Sequence, residues 1–126
     1  MSKFDAKALG IKKPIELNVT NKVVEEVTKA NLSIAKSYDL TDKTDDEIMK
    51  EVLEANKAQE SLLKNVVGLS EEQIERINEE VSSFDLEMWI KEFTTAVFTV
   101  RSYGMTPLEV NEMETKEESK SHHTGK

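Results

Sequence analysis

A chain of 126 residues with no cysteine, a formal charge of −8 and 33% charged residues has the length of a single domain and cannot use disulfides, thiolate metal sites or a cysteine nucleophile. Its acidity makes nucleic acid and anionic membranes poor partners, since phosphate binding depends on lysine and arginine. The only histidines, His122 and His123, lie in the last polar stretch, so a Ser–His or Cys–His pair cannot be assembled in the body and no enzyme is expected.

Residues 1 to 13 carry no apolar block of the kind a secretory signal needs and are read as a flexible lead. From Pro14 to Val19 the chain alternates Ile15, Leu17 and Val19 with polar residues, the period of a half-buried strand. Such a strand must pair with residues before it, lie alone across helices, or pair between subunits. It has no evident partner in the sequence, which motivates an expectation of self-association through an open edge.

The first helix is predicted over residues 21 to 38, with Val23, Val27, Ala30, Ile34 and Tyr38 on one face and Leu32 alone opposite them. Thr44-Asp-Asp-Glu47 is a capping box that opens a second helix over 45 to 67. Its apolar face holds Ile48, Met49, Val52, Ala55, Leu62 and Leu63, with Gln59 near the centre, expected to be a hydrogen-bonded interior residue or a helix-packing edge rather than a recognition group. Gly68 closes that helix, and Ser70-Glu-Glu-Gln73 caps a third over 71 to 82. The third is two-sided, Ile74, Ile77 and Val81 against Glu71, Glu72, Glu75, Glu79 and Glu80.

The fourth helix, over 85 to 103, gathers most of the aromatic mass. Leu86, Trp89, Ile90, Phe93, Ala96, Val97, Val100 and Tyr103 form one broad apolar arc, which predicts the centre of the core. Phe98 and Met88 fall outside it. Gly104 ends the helix, and Thr106-Pro-Leu-Glu109 caps a short fifth turn from Pro107. From residue 111 to 126 the composition is polar and aperiodic, and disorder is expected. The expected architecture is all-α: one domain over residues 1 to 110, a bundle of four main helices with a short extended N-terminal segment, then a disordered tail.

Leu63 to Ile77 has the outline of a helix-turn-helix, but its second helix would bring five glutamates to the phosphates with only Arg76 in return, so DNA binding is rejected. Asp39, Asp42, Asp45, Asp46 and Glu47 crowd one loop, yet Lys43 interrupts the set and the turn glycine of a calcium loop is missing. Capping and solvation account for these acids better than a metal does, and no cofactor is expected. What remains is surface for partners: Phe98, Leu32 and Met88 are apolar residues on polar faces and the candidate contact residues.

The layout resembles the small tail assembly chaperones of long-tailed phages that infect Gram-positive bacteria. The resemblance runs over residues 13 to 110 and is carried by the Pro14-Ile-Glu-Leu-Asn-Val19 lead-in, the compact acidic helical body with a late aromatic helix, and the polar tail after Thr106-Pro-Leu-Glu109. It implies a non-enzymatic protein of the host cytoplasm that coats apolar helices of the tape-measure protein, keeps it soluble and helps the tail tube assemble around it. It implies self-association as well. The alternative, from a different class, is an acidic inhibitor or antirepressor that binds a basic nucleic-acid-binding protein through Glu71, Glu72, Glu75, Glu79 and Glu80.

Overall fold

Thr20, Thr44, Ser70 and Ser82 set where the helices begin, each accepting a first-turn backbone N–H on its side-chain oxygen. In the computed structural model, which describes residues 2–104, these caps open α1 (Asn21–Tyr38), α2 (Asp45–Leu62), α3 (Glu71–Glu80) and α4 (Ser83–Tyr103). The Ser70 box is complete, with Gln73 Oε1 accepting from the Ser70 N–H at 2.9 Å and Ser70 Oγ accepting from the Gln73 N–H at 3.2 Å. At Thr44 the box is half formed: the hydroxyl accepts from the Glu47 N–H at 3.2 Å and donates to the Glu47 carboxylate instead of leaving it for the cap amide. Gly68 (φ 80°) and Gly104 (φ 74°) end their helices in the left-handed conformation that glycine adopts without a Cβ clash. The last stretch predicted as α2, Leu63–Val67, is wound as a π-helical turn, with Leu63 fully buried and its carbonyl accepting from the Leu69 N–H at 3.0 Å. The fifth turn from Pro107 and the tail lie outside the described residues.

The strand has its partner within the chain. β2 (Ile15–Leu17) pairs antiparallel with β1 (Ser2–Phe4), Phe4 opposite Ile15, so of the three arrangements open to it the pairing with earlier residues holds. The case for self-association through an unpaired strand therefore loses its basis. The chain before β2 carries structure of its own: Ala6 and Leu9 are buried, as is Leu17, and a single turn of 3-10 helix at Lys7–Leu9 closes on Gly10. The apolar residues here are too widely spaced for a periodic signal, but they join the same buried core as α4.

That helix is the centre. Trp89 and Phe93 stack at 5.0 Å and 11°, and Phe4 sets its ring edge-on to both, at 5.5 Å and 5.4 Å. Trp89 Nε1 donates to the Asp5 carbonyl at 2.9 Å, which satisfies the one polar atom of the indole and fastens the N-terminal segment to the helix. On the other sides of α4 lie Val27 and Ala30 of α1 and Leu62 of α2, all fully buried in the same core as Ile90, Phe93 and Val97. Among the described residues no helix is long and apolar enough to cross a membrane.

Candidate partner-binding surface

Three polar contacts fix how the helices overlap. Asn31 Nδ2 donates to Thr94 Oγ1 at 2.6 Å, and the Tyr38 hydroxyl donates to the Glu87 carboxylate, so α1 and α4 run antiparallel with the end of α1 beside the start of α4. Ser61 Oγ donates to Glu26 at 3.0 Å, which sets α2 antiparallel to α1. The turn joining α1 and α2 is held by Lys43. Its ammonium donates to the Lys36 carbonyl at 3.0 Å, near the C-terminal end of α1, and to Glu51 of α2 at 2.6 Å, with both side chains largely buried. The lysine that interrupts the acidic loop is thus the residue that ties the hairpin.

One end of the bundle carries many exposed apolar side chains. Val52 and Met49 lie two turns before Gln59 and Asn56 on one stripe of α2. At Asn56 and Gln59 that stripe faces Ser83, Leu86 and Glu87 of α4 across a recess of about 190 Å³. Beyond that recess the stripe is open to solvent, Val52 at 42% and Met49 at 59% exposure. Ten large apolar side chains are exposed among the described residues, and seven of them surround this end: Tyr38, Leu40, Met49, Val52, Leu53, Phe84 and Met88. Scattered apolar residues are ordinary on a surface; such a concentration is the mark of an interaction site.

Of the three contact residues expected from the sequence, all are exposed and only Met88 belongs to this end. Leu32 follows Asn31 and Phe98 lies one turn after Thr94, so both flank the middle of the α1–α4 seam. Sequence reasoning missed Met49, Val52 and Tyr38 as surface because their helical phase puts them on the buried stripe. Gln59 is interior as expected, 3% exposed, but its Nε2 has no hydrogen-bond partner among the described residues, where a partner was expected. Its side chain lines the recess.

The alternative acidic face is also in place. Glu71, Glu72, Glu75, Glu79 and Glu80 are all exposed along α3, and Glu71 and Glu75 border an open groove of about 550 Å³ with Lys57 and Lys64. Asp39, whose carboxyl is held below its usual pKa by hydrogen bonds from Thr41, closes the end of α1; Asp45, Asp46 and Glu47 occupy the first turn of α2, where they suit the helix dipole. Among the described residues, no three or more carboxylates, histidines or cysteines gather as a metal would require.

The Tyr38–Glu87 bond gives a pH test of the helix overlap. The hydrogen bond to Glu87 and the negative charge of that carboxylate both raise the Tyr38 pKa above its ordinary value of 10.0. The folded value lies above the unfolded one, so the contact is fully present below the ordinary tyrosine range and is lost as pH rises through the raised value. Phenolate absorbance should show Tyr38, assigned by its loss in Tyr38→Phe, ionising later than a free tyrosine. Glu87→Gln should bring it back toward the ordinary value, and an unchanged midpoint would deny the contact.

No protein-family model, curated protein or solved structure matches the chain. The functional reading therefore stands on the surface itself and on the sequence resemblance.

Proposed function

We propose that this protein is a non-enzymatic assembly chaperone of the phage-tail kind, acting in the host cytoplasm, that holds apolar helices of a tape-measure protein until the tail is built. The observation that carries the proposal is the gathering of exposed apolar side chains in the first half of α2, the turn before it and the start of α4, beside the buried core. A helical hairpin open at one end presents the kind of apolar surface into which an amphipathic helix lays its face. The aromatic and methionine side chains there offer large, adaptable contact area.

Co-expression with the tape-measure protein tests this. The wild-type chain should keep the tape-measure protein soluble, and Leu53→Ser with Met88→Ser should release it into the insoluble fraction without lowering the chaperone's own melting temperature. Leu32→Ser and Phe98→Ser show whether contact extends along the α1–α4 seam. A second reading is favoured by the five exposed glutamates of α3, which suit a basic partner of the inhibitor kind. Under that reading Glu72→Gln with Glu79→Gln abolishes capture, as does raised salt, while the apolar variants have no effect.

A further inference from the structure

We propose that the open end docks a basic amphipathic helix of a partner protein, one whose apolar stripe is bordered by lysine and arginine. The proposal rests on the helix-binding reading above and adds the seat of the helix and its charge. The seat is the stripe of α2 that continues from the recess at Gln59 and Asn56 through Val52 and Met49, with Leu53 on its outer edge and with Tyr38 at the end of α1 and Phe84 in the first turn of α4 exposed at the same end. From Asp45 to Ala55 it runs about 15 Å, enough for two to three turns of a docked helix and so for anchors at i, i+3 or i+4, and i+7.

Charge selects the occupant. Between Asp39 and Glu54 there are seven carboxylates against two lysines, Lys43 and Lys50. Lys43 is already bound to Glu51 and buried with it, which leaves Asp39, Asp42, Asp45, Asp46, Glu47 and Glu54 exposed, an acidic excess over the exposed Lys50 and Lys57 on either side of Leu53. At the inner end the recess is bordered by two more carboxylates, Glu60 and Glu87. An apolar strip fenced on both ends by negative charge favours a cationic helix and repels an acidic one, and it gives nothing to a phosphate backbone.

Two synthetic helical peptides of about five turns each, identical in their leucine stripe but bordered in one by lysines and in the other by glutamates, test this against the full-length protein by fluorescence anisotropy. The lysine peptide should bind at least tenfold more tightly than the glutamate peptide, a ratio of the order that complementary rim charge gives. Met49→Ser with Leu53→Ser should weaken it by about tenfold or more at an unchanged melting temperature. Asp42→Asn, Asp46→Asn and Glu54→Gln together should weaken it severalfold and flatten its salt dependence, whereas Leu32→Ser should leave it unchanged. Equal binding of both peptides would overturn the charge selection while leaving the helix-binding reading standing, and binding of neither would remove both. Binding of the lysine peptide that survives Met49→Ser with Leu53→Ser but is lost with Glu72→Gln and Glu79→Gln would move the seat to α3 and overturn the proposal. So would a wild-type dimer that dissociates on Met49→Ser with Leu53→Ser, because a second copy would then be the occupant.

Discussion

Phe93→Ala should cost about 3–5 kcal/mol, the usual penalty for truncating a buried aromatic ring. Phe93 is fully buried, stacked on Trp89 and met edge-on by Phe4, so its removal opens a cavity and strips two aromatic contacts at once. Domains of this size are stable by only about 5–15 kcal/mol, so the substitution should take a large share of the total and lower the denaturant midpoint accordingly. Both rings that contact Phe93 are anchored elsewhere, Trp89 by its bond to the Asp5 carbonyl and Phe4 by the β1–β2 pairing, which limits collapse into the void. An unchanged midpoint would take α4 out of the core.

Removal of residues 1 to 19 should be worse. That segment contributes Ala6, Leu9 and Leu17 to the buried core and sets Phe4 against the aromatic pair. Burying a leucine fully is worth about 1.5–3 kcal/mol, so the two leucines alone account for roughly 3–6 kcal/mol. The deletion also exposes Trp89 and Phe93 on one side and orphans the indole N–H. The truncated chain should keep helical circular dichroism in part, lose its cooperative unfolding transition, and shift Trp89 fluorescence toward that of indole in water. A truncated protein that melts as sharply and as late as the full chain would show that the extended segment only decorates the helices.

Local rules made most of the fold legible. The start of α1, the caps at Thr44 and Ser70, the glycine stops at 68 and 104 and the buried arc of α4 follow from hydroxyl caps, left-handed glycines and a 3.6-residue period, all short-range properties of the chain. Periodicity failed where reach mattered. It shows that Met49 and Val52 share a stripe with Leu62, but not that both are exposed, because exposure depends on how the helices sit against one another. Tyr103 is likewise exposed, 65% accessible although it lies in the apolar arc. The partner of β2 was hidden because a three-residue strand holding one large apolar residue, Phe4, has no pattern to detect. Lys43 was visible as an interruption in an acidic loop, but its bonds to Glu51 and Lys36 need the hairpin to exist first.

The most direct test of a chaperone that binds through its open end is amide hydrogen exchange on the purified complex with a tape-measure helix fragment, compared with the protein alone. Residues 38 to 53 and 83 to 88 should exchange more slowly in the complex, while the already protected centre of α4 changes little. Protection confined to residues 71 to 80 would contradict this and favour capture of a basic partner by α3, and protection confined to the surroundings of Leu32 and Phe98 would move the contact to the α1–α4 seam.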